Sequence, residues 1–318
     1  MSYISLKGIK KSLGRKQILN GISFDINKGD FWGIIGPSGS GKTTLLRVLI
    51  GFYKPDAGSI TTQDDFDAKE IGYATQENSF YFDLTVMENF HYFGSMQGIP
   101  RREVTQRAQH LLKLVGLEGT EKLLAEKLSG GMKRRLDLAI SLITDPSVLI
   151  LDEITTGLDP SLKEHIMGII RHINKEGVTV IYATHQLEEV ERYCNRLVLL
   201  HNGYVLESTT PGRLKKQIKD FDVIKLETKS RDYEVITDDL KRYDHKIHYY
   251  SKDENFLYIF TSNSALDIQN LTHIIMKRGE DLISVDLEKP SIKRIFSILQ
   301  THNICTPEEY QRFKNENN

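Results

Sequence analysis

The stretch that decides the fold is FWGIIGPSGSGKTTLL, residues 31–46. Its apolar first half predicts a buried β-strand, and the glycines that follow allow a tight turn whose backbone N–H groups point inward. The Lys-Thr pair then begins a helix whose positive end faces the same point. Because strand, loop spacing and helix coincide, a glycine turn without a ligand is set aside. The sequence predicts an α/β fold of the P-loop NTPase class.

The loop also predicts which groups hold the phosphates. We expect Lys42 to reach the β- and γ-phosphates and the Thr43 hydroxyl to ligate Mg²⁺. The predicted ligands are therefore a compound with β- and γ-phosphates, and Mg²⁺. The full set of predicted phosphate-binding residues in this loop is Gly36, Pro37, Ser38, Gly39, Ser40, Gly41, Lys42, Thr43 and Thr44.

A second stretch, SVLILDE at residues 147–153, ends an apolar strand with two carboxylates. Open α/β sheets bind their ligands at the carboxyl ends of strands. We therefore expect Asp152 to hold the magnesium, directly or through water, and Glu153 to polarise the water that attacks the γ-phosphate. Alone, such an acidic pair would more readily be a solvated strand end. The phosphate loop upstream reverses that preference.

Composition narrows the class of protein. The chain has 318 residues, of which 39% are hydrophobic and 27% charged, as in a globular protein of about two domains. A formal net charge of -1 argues against a general nucleic-acid or membrane-surface binder. Cys194 and Cys305 lack metal-ligand spacing, so inert thiols in a reducing compartment are expected. Neither a membrane-spanning run nor a signal-peptide core is found, which predicts a cytoplasmic location.

Two domains follow from the pattern of elements. Residues 1 to about 215 alternate short apolar strands with helices, which predicts a mostly parallel sheet covered by helices. After TTPGRLKK, residues 216–300 contain the strand-like segments DVIKLET, HKIHYYS, NFLYIFTS and DLISVDL and a helical SALDIQNLTHIIMKRG. If TDDLKRY is also a helix, this small α+β domain is a ferredoxin-like unit. An amphipathic helix, SIKRIFSILQ, follows, and residues 301–318 are expected to form a polar, loosely held tail.

Six motifs in order make residues 1 to about 215 resemble the nucleotide-binding subunit of an ATP-binding cassette (ABC) transporter. GPSGSGKTT resembles the family's phosphate loop and LILDE its magnesium and base strand; YATQEN, LSGGM, TGLDP and YATHQLEEVE resemble its glutamine loop, signature, D-loop and switch-histidine segment. By itself LSGG is a weak signal, and a lone Gln or His is usually an ordinary hydrogen-bonding residue. The resemblance implies that Gln76 and His185 act with Glu153 in catalysis, that Gln76 also contacts Mg²⁺, and that a helical subdomain occupies about residues 80–140.

The signature implies a second protomer. In this family two cassettes associate head to tail, and the signature of one closes over the ATP held by the phosphate loop of the other. Ser129, Gly130 and Gly131 would then contact the γ-phosphate from the start of a helix, where N–H groups and the helix dipole favour negative charge. A homodimer is therefore expected. The resemblance also implies a membrane permease on a separate chain, with this subunit peripheral on the inner face of the cell membrane.

Three positions depart from the family pattern. Leu13 stands where an aromatic residue usually stacks on adenine, and we expect it still to contact the ring, with lower nucleotide affinity. Met132 replaces the usual glutamine of the signature, and Ile154 replaces the proline after the base. Neither of these two removes a donor assigned to phosphate, so ATP hydrolysis is still expected.

The type of transporter is narrowed by two further stretches. LTVMENFHYFGSMQGI and LISVDLEKPSIKRIFSIL resemble the export (ABC-2-like) type more than the importer type. Phe80, Tyr81 and Phe82 either dock the permease or pack the helical subdomain, and the sequence leaves both open.

Two other functions are weighed against transport. The first is a soluble ABC ATPase acting on nucleic acid or ribosomes, but such relatives usually carry a second cassette, a coiled coil or a basic arm, and no nucleic-acid partner is expected here. The second is a nucleotide sensor without turnover, which the presence of Glu153 disfavours. The sequence does not reveal the transported substrate.

Overall fold

The computed structural model describes residues 2–63, 71–218, 222–243, 249–261, 264–289, 297, 301–302, 304 and 306–316. Contacts divide the chain into two compact units, Met1–Thr209 and Thr210–Asn318, and each is described by itself. Sequence patterns placed the change of domain slightly later, at about residue 215. Among the described residues, no helix is long and apolar enough to cross a membrane.

The first unit is built around a six-stranded sheet in the order β5-β6-β7-β3-β8-β9. Its strands are β3 (Phe31–Ile35), β5 (Ile71–Ala74), β6 (Val148–Asp152), β7 (Thr179–Thr184), β8 (Arg196–His201) and β9 (Tyr204–Thr209). All neighbouring pairs are parallel except β8 and β9. The central strands β3, β6 and β7 are buried at every residue, which explains their uninterrupted apolar sequences. The predicted α/β fold with a mostly parallel sheet is confirmed.

A second, antiparallel sheet in the order β2-β1-β4 covers part of this core. It consists of β1 (Ile4–Leu13), β2 (Lys16–Ile26) and β4 (Ala57–Thr62). Its buried residues, among them Ile9 and Leu19, share one hydrophobic cluster with Ile34 of β3 and Leu45 of the first helix. The sequence analysis did not identify this sheet. Register shifts between Leu6 and Ile9 interrupt the two-residue alternation by which a strand is recognised.

Helices follow the strands in two groups. The core carries α1 (Lys42–Leu49), α5 (Pro160–Lys175) and α6 (Leu187–Tyr193), and a second group comprises α2 (Val86–Met96), α3 (Arg101–Leu114) and α4 (Gly130–Ser141). The members of the second group pack on one another and form the helical subdomain predicted at about residues 80–140. A capping box starts α2, in which Thr85 and Glu88 each bond the other's backbone N–H. Its entry angle is thereby set by local sequence.

The second unit has the order strand, helix, strand, strand, helix, strand after a first helix. Its elements are α7 (Pro211–Ile218), β10 (Asp222–Thr228), α8 (Tyr233–Tyr243), β11 (Tyr249–Lys252), β12 (Leu257–Thr261), α9 (Ser264–Lys277) and β13 (Leu282–Glu288). The sheet is antiparallel in the order β11-β12-β10-β13, and TDDLKRY lies within α8. This element order is the one the sequence predicts for a ferredoxin-like unit.

The end of the chain differs from the expected loose tail. Residues Pro307–Glu316 form a helix, and Tyr310 on it is almost fully buried. A capping box explains its start: the Thr306 N–H donates to the Glu309 carboxylate at 2.9 Å, and the Glu309 N–H donates to the Thr306 hydroxyl at 3.3 Å. The Thr-Pro-Glu-Glu sequence was a local signal for this helix that the overall polarity of the segment masked. The predicted helix SIKRIFSILQ lies outside the described residues apart from Ser297.

Candidate functional site

The phosphate loop joins β3 to α1, and its glycines are required by close approach and by backbone angle. A Cβ on Gly36 would lie 2.3 Å from the backbone oxygen of Leu200 and 2.4 Å from the Ser40 hydroxyl. Gly41, directly before α1, has φ 107°, a conformation that side-chain-bearing residues rarely adopt. These constraints hold the loop against the sheet, so that the first N–H groups of α1 open toward its mouth.

Lys42 is held over this loop by its own chain. Its side chain is only 4% exposed, and its Nζ donates to the carbonyls of Gly36 at 2.8 Å and Pro37 at 3.2 Å. The same Nζ lies 3.1 Å from Glu153 Oε1. A fixed ammonium group therefore stands between the loop and the end of β6, where it can meet an anionic ligand.

Glu153 links the loop to the predicted switch histidine. Its Oε2 lies 3.2 Å from His185 Nδ1, and its backbone N–H donates to Ala183 of β7 at 2.9 Å. Its φ of 49° falls in the left-handed region, which costs a residue with a Cβ about 1–2 kcal/mol. Such strain is retained where the surrounding structure imposes it, as at functional sites. Lys42, Glu153 and His185 thus form one chain of contacts across three segments.

Asp152 presents a carboxylate suited to a cation. It is buried, and its Oδ1 has no hydrogen-bond partner in the described part of the chain. Burial raises the pKa of Asp152, and a hydrogen bond from the Thr43 side chain opposes that rise. Burial, with the nearby Asp152 carboxylate, raises the pKa of Tyr73 to about 12, so its hydroxyl stays protonated beside the site.

An oxygen without a partner next to a threonine hydroxyl fits Mg²⁺, which prefers oxygen ligands. No group of three or more His, Cys, Asp or Glu side chains able to hold a metal occurs among the described residues. A Mg²⁺ ion here would therefore draw on only a few oxygens of the chain and take its remaining ligands from phosphate and water.

Beside these groups lies a cleft of about 370 Å³, within the range of small-molecule sites. Asp152 and His185 do not line it, but each contacts a residue that does, Thr43 and Glu153 respectively. It is lined by Lys16, Ile18, Ser38, Gly39, Gly41, Lys42, Thr43, Thr44, Gln76 and Glu153. The structure therefore brings the predicted loop, Gln76 and Glu153 into one site. Lys16 and Ile18 were missed, because only the pairing of β2 with the loop, a tertiary contact, places them there.

Leu13, the predicted adenine contact, is not among the lining residues of this cleft. It ends β1, is 38% exposed, and lies opposite Lys16 in the register with β2. Leu13 is therefore next to a lining residue but does not itself line the cleft.

The signature lies in a different place. Ser129 caps α4, its hydroxyl accepting the Met132 N–H at 3.3 Å, and both Ser129 and Gly130 are exposed. A second cleft of about 520 Å³ is lined by Ser129, Gly131, Met132, Arg135, Asp159, Ser161, Leu162 and His165. None of these residues lines the phosphate-loop cleft. The two anion-seeking turns of one chain therefore do not share a site.

A buried polar cluster lies behind His185, and the sequence analysis missed it. Glu189 of α6 accepts from the Thr155 hydroxyl at 2.9 Å and from Tyr182, and it pairs with Lys163 Nζ at 2.9 Å. Lys163 also donates to Gln186, directly after His185. Each member comes from a different segment, so pairing in space rather than sequence spacing defines the cluster. It ties α5 and α6 to the residues that follow Glu153.

The residues of the aromatic run differ in their exposure. Phe80 is buried and packs in the core, whereas Tyr81 and Phe82 are 48% and 43% exposed. Tyr81 meets Tyr92 of α2 edge to face, with ring centroids 4.7 Å apart.

Cys194 is a buried free thiol, and burial raises its pKa, which opposes reactivity as expected. Cys305 lies outside the described residues.

Comparison with known proteins decides the family. The family model described as ABC transporter matches residues 19–156. The linearmycin resistance ATP-binding protein of Bacillus subtilis (strain 168) is 36% identical over 230 residues, which cover 70% of this chain and 74% of that protein. The chain belongs to the ABC transporter family. A further relative, the Nod factor export ATP-binding protein I of Rhizobium sp. (strain N33), is 40% identical over 218 residues, covering 66% of the cassette chain and 72% of the relative.

Solved structures agree with this assignment. An ATP-binding cassette solved as a dimer in a post-hydrolysis state with ADP and Pi superposes with a TM-score of 0.58 and 27% identity, covering 65% of this chain and 98% of the other. The fold expected from the six motifs is therefore confirmed, and the ABC cassette is an ATPase that binds ATP.

Proposed function

We propose that the cassette is the ATP-hydrolysing subunit of an export system and acts through a permease on a separate chain. Relatives named for linearmycin resistance and Nod factor export support this direction of transport. The observation that carries the catalytic part is the contact chain from Lys42 through Glu153 to His185 at the mouth of the phosphate loop. The substrate would be selected by the permease.

Binding of ATP is assigned to the loop residues and to the cation site beside them. Backbone N–H groups of residues 36–44 would cradle the phosphates, and Lys42 would exchange its contact with Glu153 for the β- and γ-phosphates. Mg²⁺, when bound, neutralises charge on the phosphates. Asp152 and Thr43 would hold it, and Gln76, which lines the cleft, would be a further ligand.

Hydrolysis is assigned to Glu153 as general base. Once Lys42 turns to phosphate, the Glu153 carboxylate is free to accept a proton from water. The water oxygen then bonds to the γ-phosphorus while the bond from the γ-phosphorus to the bridging β-phosphate oxygen breaks, so that ADP leaves with that oxygen and inorganic phosphate is formed. His185, hydrogen-bonded to Glu153 in the structure, would hold that carboxylate in place and face the γ-phosphate. Gln76 would help to orient the water. Glu153 and Gln76 line the cleft, and His185 contacts Glu153, so each role is given to a side chain at the cleft or in contact with one that lines it.

A complete site is proposed to need two cassettes. The signature has exposed N–H groups at a helix start but lies outside its own chain's cleft. In a head-to-tail homodimer, Ser129, Gly130 and Gly131 would supply donors to the γ-phosphate held by the partner, at the positive end of α4. The dimer in which a similar cassette was solved supports this arrangement.

The permease contact is proposed at Tyr81 and Phe82. Both are exposed next to α2, and Lys133 lies over the Phe82 ring with its Nζ 5.2 Å from the centroid. An exposed aromatic pair with a cationic rim suits a short amphipathic helix. The subunit would thus be held at the inner face of the cell membrane through the permease. No nucleic-acid partner is proposed, because the net charge of -1 gives no basic excess.

Mixing two inactive chains tests the composite site. A Ser129→Arg chain should bind ATP at its own loop yet fail to hydrolyse it as a homodimer, because the long side chain blocks the partner's γ-phosphate. A Lys42→Ala chain should fail because it holds ATP poorly. In a mixed dimer, one site receives an intact loop from the first chain and an intact signature from the second. Partial ATPase activity should therefore return on mixing.

ATP-dependent dimerisation is measured on the same samples by light scattering, because one working site can be too little for full turnover. A signature that only starts its own helix would leave each chain damaged independently. Absence of both recovered hydrolysis and ATP-dependent pairing in the mixture would contradict the trans role of residues 128–132.

A further inference from the structure

Arg134 is an unusual side chain in the signature helix, because it is charged and only 7% exposed. Its Nε donates to the Ile154 carbonyl at 2.5 Å, and its Nη1 donates to the carbonyls of Thr75 at 2.6 Å and Gln76 at 3.1 Å. A buried guanidinium is costly unless its donors are satisfied. Here the donors join the backbone of two separate loops to α4.

The three carbonyls belong to the two segments that carry the chemistry. Thr75 and Gln76 form the start of the glutamine loop, and Gln76 lines the nucleotide cleft. Ile154 directly follows Glu153, whose backbone is held in the left-handed region. One planar group therefore fixes the backbone beside Gln76 and beside the general base at once.

A second contact fastens the same helix to the same loop. Asp137 Oδ1 accepts from the Ser79 N–H at 2.9 Å and from the Ser79 hydroxyl at 2.6 Å. Asp137 Oδ2 lies 3.7 Å from Arg134 Nη1, and both side chains are buried. The glutamine loop is thus tied to α4 at residues 75–76 and again at residue 79. Its position follows any movement of that helix.

The signature forms the start of this helix. Ser129 caps α4, and Arg134 lies five residues later, about 7–8 Å along a helix that rises 1.5 Å per residue. A helix this short moves as a rigid body when its first turn closes on a ligand. Displacements of about 1 Å at reacting groups are enough to change rates a hundredfold.

We propose that Arg134 is a positioning residue that transmits closure of the partner's ATP on the signature to this chain's own Gln76 and Glu153. The inference rests on the head-to-tail dimer of the proposed function. Each chain then has a path between the two ATP sites. The signature contacts the partner's ATP, α4 connects the signature to Arg134, and Arg134 holds the glutamine loop and the segment after Glu153 at the chain's own ATP. Occupation of one site thereby aligns the catalytic groups of the other.

A lysine substitution tests whether Arg134 positions the two loops or only balances the charge of Asp137. Arg134→Lys keeps a cation beside Asp137, but a single ammonium cannot reproduce the fork that reaches Ile154 together with Thr75 and Gln76. We expect thermal stability close to that of the parent and an ATP dissociation constant within about twofold, because Arg134 does not line the cleft. The kcat should fall about tenfold or more, and the Hill coefficient for ATP should fall toward one.

Arg107→Lys is the matched control. Arg107 also joins a helix to a backbone carbonyl, that of Ile143 at 2.9 Å, and pairs with Glu103, but it contacts neither the glutamine loop nor the segment after Glu153. It should leave kcat, the Hill coefficient and ATP affinity at parent values. A second variant, Arg134→Met with Asp137→Asn, removes both buried charges while the new amide oxygen can still accept from Ser79, and it should repeat the loss of kcat.

The outcomes separate this inference from the proposed function. If the Ser129→Arg and Lys42→Ala mixture recovers activity while Arg134→Lys keeps the parent kcat and Hill coefficient, the dimer stands and the role of Arg134 is overturned. A loss of ATP affinity as large as the loss of kcat would also overturn it, since that is the mark of a merely structural residue. A parent without cooperativity or ATP-dependent pairing would overturn both.

Discussion

The phosphate loop and the signature are both glycine-containing turns that open a helix, yet their surroundings differ. Gly36 has no room for a Cβ, and Lys42 is buried under its own loop's carbonyls. Gly130 has nothing within 4 Å of an added Cβ, and Ser129 is exposed. The phosphate loop is packed against its own chain, whereas Ser129 and Gly130 of the signature are exposed. The difference supports the proposal that the first turn holds a nucleotide within its own chain and that the second meets a nucleotide carried by a partner chain.

Charge sharpens the contrast. Around the loop, the Glu153 carboxylate contacts both Lys42 and His185, and the Asp152 carboxylate lies next to it in the chain. Around the signature, backbone N–H groups are accompanied by Arg135, His165 and Asp159, whose carboxylate caps the next helix by accepting the Leu162 N–H. The residues proposed as general base, cation ligand and phosphate-binding ammonium are thus all at the phosphate loop. The signature can stabilise charge but has no group assigned to accept the proton of water.

The largest expected effect tests this division at the general base. Glu153→Gln removes the proton acceptor but keeps the shape of the side chain, so kcat should fall by about 10²–10⁴-fold. ATP binding should persist, and without hydrolysis the dimer should stay closed. Steady-state phosphate release and light scattering with ATP measure the two effects. Near-parent hydrolysis would move the base to another residue, because a glutamine side chain cannot accept the proton.

The next effect concerns affinity at the loop. Lys42→Ala removes a charge-assisted contact worth about 1.5–3 kcal/mol, so the ATP dissociation constant should rise roughly 10- to 150-fold. Ser129→Arg, the matched change at the signature, should leave the affinity of the isolated chain unchanged. Isothermal titration with a non-hydrolysable ATP analogue compares them. Equal weakening by both variants would erase the distinction between the two turns.

A smaller effect is expected on folding itself. Gly36→Ala places a Cβ 2.3 Å from the Leu200 carbonyl, a backbone atom, and should lower the free energy of unfolding by about 1–3 kcal/mol. Gly130→Ala, at the first residue of α4, meets open space and should change it by less than about 0.5 kcal/mol. Urea unfolding of the two variants provides the measurement. A large loss in Gly130→Ala would show that the signature also is packed by its own chain.

The sequence predicts the phosphate loop more fully than it predicts the position of the signature. The loop and LILDE follow from local spacing, because a strand end and a helix start must lie together once the strands are parallel. The separation of the signature from the loop cleft was implied by family resemblance alone, since no spacing rule locates residue 129 relative to residue 42. Arg134, Asp137 and Glu189 went unrecognised, because their hydrogen-bond partners lie between 5 and 59 residues away in other segments.

The fold shows the same limit. Buried strands β3, β6 and β7 are recognised as apolar runs, and the βαββαβ order of the second unit follows from strand and helix patterns. The β2-β1-β4 sheet was not recognised, because bulges and lysines break its alternation. It is this sheet that supplies Lys16 and Ile18 to the nucleotide cleft. The two cleft residues that the sequence analysis missed therefore lie on the sheet that local sequence patterns did not reveal.

The last expected effect is at Leu13, the final residue of β1. If adenine rests against this side chain, Leu13→Tyr should tighten ATP binding by up to the stacking energy of about 1–3 kcal/mol, and Leu13→Ala should weaken it. Opposite directions for the two variants are the decisive result, because a general change in the hairpin would move both the same way. Inorganic tripolyphosphate, which carries the phosphates without the base, provides the control and should bind all three chains equally. Leu13 is opposite Lys16 but does not line the cleft, whereas Ile18 does. Unchanged ATP affinity in both variants would therefore shift the adenine contact along β2, to Lys16 and Ile18.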